Sequence, residues 1–598
     1  MQRFVLLSAL LILCGGQAFA QNGTGKVIFA DAVYHNGKVV TVDERFSVTE
    51  AIAIHQGKVM AVGSNREILN LAGPGTRRID LDGKMVLPGF IDTHSHLFDY
   101  APADWAGDLE TLEPELTQYR QVPMRAESVD EAVKLLKEMI AKTPEGKVLH
   151  IQLLPAVVAE EFGDRMMLKE MDALAPKNPI VVQLRGTDRR ANSPIFKMFT
   201  DYFGDLPEDI PTDAANKPTG RIGSGAMRTL FGEVLVQKPE TLAAIYKKEL
   251  QAWGAQGVTT WSSSLPTAKI FNGFAILDQA GDMPIRFAYS HRMGAAGFSQ
   301  AAEFYKRLGN IAGHGTDYLW AIGVSLSSVD SSYPRHCTTV EAPENIKARE
   351  KCDADAEFKI MRAAVQSSQR ISGTHVFADK AVDGFLDVIE QASKEGGLTL
   401  EQIRGKRHVI DHCGMSPRPD QIERAKRLNI TWSCAPRYIE DARDIGNDYG
   451  EKYAHEMNVP IQTILKAGGK VVGEFDDRRL HMKEGGAFAH LKYAVTRKDS
   501  NGRVWGPRQA VDKETVLKMF TRWAAEYVLR DKVLGSLEPD KWADLIVIDR
   551  NYLAVADDEI DKINVLMTVV AGKTVYLEPA FAKAQNLEPV GLKIARRP

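Results

Sequence analysis

Nine short apolar segments, most of them closing on a polar or ionisable residue, recur through the middle of this chain. They read as strands: Val86–Asp92, Ile180–Leu184, Val258–Ser262, Ile285–Tyr289, Tyr318–Val324, Ile371–His375, His408–His412, Ile430–Ser433 and Lys470–Asp476. Helical patterns lie between several of them. Ser128 and Glu131 form a capping box opening Val129–Ala141, and Glu240–Gln256 and Ala378–Ala392 carry apolar residues at helical spacing. Parallel strands cannot be joined by a tight hairpin; they need a crossover, usually a helix. The alternation therefore predicts an α/β fold on a parallel sheet, and eight such units close a (β/α)8 TIM barrel. One strand of nine is surplus. Ile180–Leu184 fits that role, because it lies in the stretch between His96 and about residue 240, too long for a plain loop. This stretch is expected to be an insertion, at about 99–240, placed to cover the barrel mouth.

The two ends of the chain are strand-like instead. Ala32–Val42 and Ala51–Val62 alternate like paired strands, with turns at Asn36-Gly37 and Gln56-Gly57. Residues 543–549 (ADLIVID) and 565–576 (VLMTVVAGKTVY) have the same character. One composite β domain from 21–85 and 535–598, around a barrel over 86–534, is the expected organisation.

Residues 1–20 read as a secretory signal peptide: Arg3, the apolar stretch Val5–Leu13, and the small-x-small site Ala18-Phe19-Ala20. Leu13 is too bulky for a lipoprotein box at Cys14. The expected address is the periplasm of a Gram-negative host. No later stretch holds 18 uninterrupted apolar residues, so no membrane span is expected in the mature chain. With 75 basic and 78 acidic residues there is no excess charge to track phosphates, which disfavours a nucleic-acid binder. An exported chain can hold disulfides. Cys337 and Cys352 flank a polar loop they could close, whereas Cys413 and Cys434 sit in apolar strands where buried thiols are as good a reading.

The sharpest chemical signal is Leu87-Pro-Gly-Phe-Ile-Asp-Thr-His94-Ser-His96. In a strand, residues i and i+2 share a side, so His94 and His96 can hold one metal ion. His375, His412 and Asp476 end later strands, where barrel enzymes gather catalytic groups. Imidazoles with a carboxylate suit Zn²⁺, with Mn²⁺ or Fe²⁺ as alternatives. Glu474 and Asp477 are near enough to stand in for Asp476. His408 reads as a supporting or structural residue, and His291 as a substrate contact at the mouth.

These stretches resemble the amidohydrolase superfamily, specifically the amidohydrolase-3 group of N-substituted formamide deformylase-like and D-aminoacylase-like enzymes. The matching segments are 87–97 (LPGFIDTHSHL), 375–392 (HVFADKAVDGFLDVIEQA), 407–413 (RHVIDHC) and 535–550 (GSLEPDKWADLIVIDR), so the resemblance spans nearly the whole mature chain. It implies a metal-dependent barrel, a β-sandwich from both termini and a domain inserted after the first strand. It also implies metal ligation by His94, His96, His375, His412 and Asp476, with Asp476 exchanging a proton with the attacking water. The implied reaction is hydrolysis of an amide or formamide-like C–N bond in a small molecule.

Two departures bear on this. Many relatives carry a carboxylated lysine bridging two metals; Ser325 stands where that lysine aligns, with Asp330 and Cys337 as conceivable substitutes. The site thus holds one ion or is bridged otherwise. Relatives also show Gly-His ahead of Asn-Ser, where this chain has Gly186-Thr187-Asp188-Arg189-Arg190-Ala191-Asn192-Ser193. Arg189 and Arg190 become substrate-contact candidates against a solvated-surface alternative. Two other activities stay open: a mononuclear deaminase or a non-hydrolytic lyase or isomerase, and a non-catalytic binding protein on the same scaffold. A homodimer is the symmetric default.

Overall fold

The protein is described here from a computed structural model covering residues 28–592, apart from 106–120, 185–187, 205, 207–209, 237, 266, 294–306, 327, 478–479 and 481–484. The signal peptide read at 1–20 lies outside the described residues.

Eight parallel strands follow one another in chain order. Four form one sheet: β1 (Phe90–Asp92), β2 (Val258–Leu265), β3 (Arg286–Met293) and β4 (Leu319–Leu326). Four form another: β5 (His375–Ala378), β6 (Val409–Met415), β7 (Thr431–Cys434) and β8 (Lys470–Gly473). Isolated parallel bridges, Val324 with Ile371 and Ser328 with His375, join the edge of the first sheet to the second. At the opposite edges, the Asp476 N–H donates to the His94 carbonyl at 2.9 Å. This is the TIM-barrel-like α/β arrangement that strand–helix alternation demands.

The inward faces can be read from packing. One buried cluster gathers Ile91, Ala288, Trp320, Ile322, Val409 and Val472 against Ala524, Tyr527 and Leu534. Side chains alternate along a strand, so Asp411 and Glu474, two residues beyond Val409 and Val472, face the same interior.

Several boundaries differ from the sequence reading. Met85–Pro88 pairs with Leu545–Ile548 in a six-stranded sheet, and only Phe90–Asp92 belongs to β1. His375 opens β5 rather than closing a strand, since Ile371 makes only a single bridge. Ile180–Gln183 is indeed apart from the eight: it sits in its own sheet with Gln121–Arg125, Leu149–Leu154 and Arg189–Ala191. Gln56-Gly57 joins a true hairpin, Ala51–His55 with Lys58–Gly63. The strands either side of Asn36-Gly37 part into different sheets instead. Both ends of the chain share one apolar cluster containing Tyr34, Ile52, Val86, Leu545 and Met567. The helix Val129–Lys142 is capped by Ser128, which accepts from the Glu131 N–H. The reciprocal bond of the expected box is missing, because the Glu131 carboxylate takes the Glu127 N–H at 2.7 Å. No described helix is long and apolar enough to cross a membrane.

Helix α1 (Leu97–Trp105) leaves the His94-x-His96 segment and packs on α2 (Pro239–Gly254). Between them Glu249 is buried and accepts from the Trp105 indole at 2.5 Å and the Trp253 indole at 2.8 Å. Burial, with Asp104 nearby, outweighs these bonds and pushes the carboxyl up to about 7. A raised carboxyl binds its proton more tightly folded than unfolded, so stability falls as pH rises from about 4.5 to about 7. The stability difference between the parent and Glu249→Gln should shift toward the variant by about 2–3 kcal/mol between pH 4 and 8. Urea unfolding at both pH values reads this out, and a difference independent of pH would refute it.

Candidate metal centre

Residues that follow β1 fold back before α1. Asp92 organises the turn: one carboxylate oxygen takes the N–H of Phe475 at 2.8 Å and of His94 at 3.3 Å, and the other takes the Ser95 hydroxyl at 2.5 Å. His94 and His96 therefore lie beyond the strand, and their meeting rests on this turn rather than on strand alternation. Their Nε2 atoms are 3.1 Å apart, and His96 Nε2 is 3.0 Å from His375 Nε2. His412 completes the group, with ring centroids 4.5 Å from His94 and 4.4 Å from His375.

The rings are oriented from behind. His94 Nδ1 bonds Asp411 at 3.1 Å, and His412 Nδ1 bonds Glu474 at 2.6 Å. Asp411 is fixed in turn by the Tyr527 hydroxyl at 3.0 Å, and Glu474 by Ser433 at 2.6 Å, itself 2.7 Å from Thr93. A proton held at Nδ1 leaves Nε2 as a lone-pair donor. Three Nε2 atoms crowd together, and the buried His412 Nε2 has no hydrogen-bond partner among the described residues. This donor set fits a divalent ion taking nitrogen and oxygen ligands. Burial, then the neighbouring histidines and Arg292, hold His375 well below the ordinary imidazole range; burial also lowers His412 despite nearby carboxylates. Neutral imidazole is the ligating form.

Asp476 stands at the open side. Its Oδ1 is 4.0 Å from His96 Nε2, and its Oδ2 accepts from the Tyr438 hydroxyl. Burial alone would raise its carboxyl, but His412, Arg437, His94 and the Tyr438 bond hold it below the usual range. Three residues of the site have left-handed backbone: His412, Cys413 and Asp476 have φ of 92°, 52° and 38°, a region non-glycine residues rarely occupy.

The amidohydrolase family pattern matches residues 77–576. The chain belongs to the amidohydrolase family. It is a metal-dependent hydrolase of carbon–nitrogen bonds. The N-substituted formamide deformylase of Arthrobacter pascens is 25% identical over 91% of this chain and 98% of its own. The putative amidohydrolase YtcJ of Bacillus subtilis is 20% identical over 91% of this chain and 99% of its own. An uncharacterized metal-dependent hydrolase from Pyrococcus horikoshii has the same fold, with a TM-score of 0.65 at 21% identity over 88% of this chain and 99% of that one.

In this amidohydrolase several sequence candidates lie elsewhere. Arg190 is buried, and its guanidinium bonds the Gly163 carbonyl at 2.9 and 2.7 Å and Asp188 at 2.8 Å, so it braces the sheet that holds Ile180–Gln183. Arg189, in the same short strand, is buried as well, which removes the solvated-surface alternative. Asn192 satisfies main-chain groups of Ala175, Asn178 and Ile180. His291 packs on Phe271 and Tyr289, on the face of β3 opposite Ser290 and Arg292, so it turns from the four histidines. His408 accepts the Ile371 N–H at 3.0 Å and is structural.

Neither conceivable bridge survives. Asp330 is spent on the N–H groups of Cys337, Phe377 and Ala378, and Cys337 is bonded to Cys352. Cys413 and Cys434 also form a disulfide, linking β6 to β7, rather than remaining thiols. Ser325 donates to the Gly373 carbonyl at 2.6 Å. Sequence reasoning missed Asp411 as the partner of His94, and Arg437 and Tyr438 as the neighbours of Asp476. It had weighed Glu474 only as a replacement for Asp476.

Proposed function

We propose that this amidohydrolase is an exported enzyme that cleaves an N-acyl or N-formyl amide, with His94, His96, His375, His412 and Asp476 holding Zn²⁺. The observation that carries the reading is the convergence of imidazole Nε2 atoms in front of two buried carboxylates that fix their tautomers. A bound divalent ion lowers the pKa of water and polarises a carbonyl. Asp476, held ionised at neutral pH, accepts the proton of the attacking water at its carboxylate and delivers it to the leaving nitrogen. Tyr438 fixes one oxygen of that carboxylate, leaving the other to face the substrate. Asp411 and Glu474 keep the imidazoles aimed. The similarity to a formamide deformylase supports the acyl class. In the same reading the eight strands close as a barrel, and the two terminal sheets form a composite β-sandwich.

Ser325 favours a second reading. A serine whose hydroxyl is spent on Gly373 forms no carbamate bridge, which suits one ion and leaves deamination open. Product analysis separates the two. Incubation of the purified protein with panels of N-formyl and N-acetyl amines and of amino-heterocycles should yield carboxylic acid plus amine from the first panel. Ammonia from the second panel alone would replace the proposal with deamination.

A further inference from the structure

Cys413 follows His412 directly in β6, and its disulfide reaches Cys434, the last residue of β7. In the parallel register His412 lies opposite Cys434 itself. Both cysteines are fully buried. Cys434 belongs to the stretch that serves the rest of the site. Its carbonyl takes the Glu474 N–H at 3.1 Å, and Ser433 before it bonds the Glu474 carboxylate at 2.6 Å. Further along, Arg437 Nε donates to the Asp476 carbonyl at 2.8 Å, and the Tyr438 hydroxyl donates to the Asp476 carboxylate. One covalent bond thus ties the strand that carries His412 to the segment that holds Glu474 and Asp476.

The main chain around His412 is otherwise loosely held. His412 and Cys413 have φ of 92° and 52°, so β6 leaves ordinary strand geometry here. The Ala435 N–H reaches the His412 carbonyl at 3.3 Å, and the Val459 N–H is shared between the carbonyls of Cys413 and Gly414 at 3.2 and 3.3 Å. These are long beside the usual backbone bond of about 2.9 Å. Glu474 and the Phe377 ring, stacked at 4.2 Å between centroids, orient the imidazole but do not fix the backbone that carries it. The disulfide supplies that fixture.

We propose that the Cys413–Cys434 disulfide completes the metal centre: His412 joins His94, His96 and His375 as a ligand only in the oxidised chain, so ion uptake follows oxidation of these two thiols. The oxidant is a second disulfide. One thiolate attacks it to give a mixed disulfide, and the other thiolate displaces the carrier. The S–S bond forms, and two electrons and two protons leave on the carrier as two thiols. Burial shuts reductants out once the chain has folded. The step therefore belongs to folding in an oxidising compartment and is not a reversible switch. This rests on the metal-ligand part of the proposed function, and not on which bond the enzyme cleaves.

The full chain carrying Cys413→Ser and Cys434→Ser provides the test. Chelator competition reads Zn²⁺ affinity, and the Co²⁺ absorption spectrum reads the ligand set. The double variant should keep the parent's far-UV circular dichroism, bind Zn²⁺ about 10- to 100-fold more weakly and show an altered Co²⁺ spectrum. Parental affinity and spectrum would overturn the proposal. Cys337→Ser with Cys352→Ser, run alongside, should bind Zn²⁺ as the parent does; an equal loss there would make the effect one of general stability and overturn the proposal too. The parent gives an independent reading when refolded from denaturant with Zn²⁺ and either a glutathione redox couple or a phosphine reductant, with alkylation and mass spectrometry assigning each cysteine. Metal content should track the Cys413–Cys434 bond. Full metal on chains with both thiols free would overturn the proposal, and so would loss of the whole fold in the double variant and the reduced parent alike. The predicted metal difference in a parent that hydrolyses no amide would uphold the assembly step and reject the amide reading. A parent that takes up no divalent ion would overturn both the metal reading and this one.

Discussion

Asp476→Asn should lower kcat by about 100- to 10,000-fold, the range a positioned general base contributes. The substitution keeps the shape of the side chain and its bond from Tyr438, but removes the basic oxygen that His412, Arg437, His94 and Tyr438 keep ionised. Four histidines remain, so bound metal should fall much less than kcat. The measurement is kcat and metal content on the same preparation. Asparagine that retains near-parental turnover at full metal occupancy would remove Asp476 from proton transfer. A parallel loss of metal and rate would assign it to ligation alone. Acidification adds a check with a definite sign. The carboxyl is lowered, so the parent rate should hold at neutral pH and fall only as pH drops toward the acid side, whereas the asparagine variant should lack that limb.

The order of the eight strands was legible because a buried parallel strand must be apolar and its end must be polar. The histidines and Asp476 stood out because each follows such a run. The partners that aim them did not. Asp411 adjoins His412 in the chain yet serves His94, across the sheets, and Glu474 serves His412 rather than its neighbour Asp476. Linear proximity assigns both wrongly, because ring orientation is settled only when the ends of β1, β6 and β8 are brought together by the fold. The turn at Asp92 was equally hidden. A one-sided strand was the simplest account of His-x-His, but the pairing arises from side-chain bonds within a non-repetitive segment. Arg190 shows the converse error. Two arginines in a polar run look solvated or substrate-seeking, yet Arg190 is buried, with the Gly163 carbonyl of an adjoining helix accepting from two of its nitrogens. Arg437 left no signal at all, since an arginine after a strand is ordinary until its carbonyl partner is known to be Asp476.

That division of labour gives the second large effect. Asp411→Asn and Glu474→Gln should each weaken metal affinity by about 10- to 100-fold, the usual cost of losing a carboxylate behind a histidine ligand. Neither residue donates to the ion in this reading. Each accepts the Nδ1 proton of a ligand, making Nε2 more basic and holding the ring in place. The amides preserve volume and can still accept one hydrogen bond, so the fold should survive. Their loss is of charge. The two variants should differ in one respect. Glu474 is deeply buried, and its carboxyl is pushed well above the ordinary range by burial despite the pull of His94 and the Ser433 bond, so its charge depends on a cation in front of His412. Metal binding to the parent should therefore release a proton that Glu474→Gln does not, which calorimetry in buffers of different ionisation enthalpy detects. Competition against a chelator of known affinity measures the weakening itself. Unchanged affinity in both variants would show that His94 and His412 need no support to hold the ion, and would return Asp411 and Glu474 to a purely structural role.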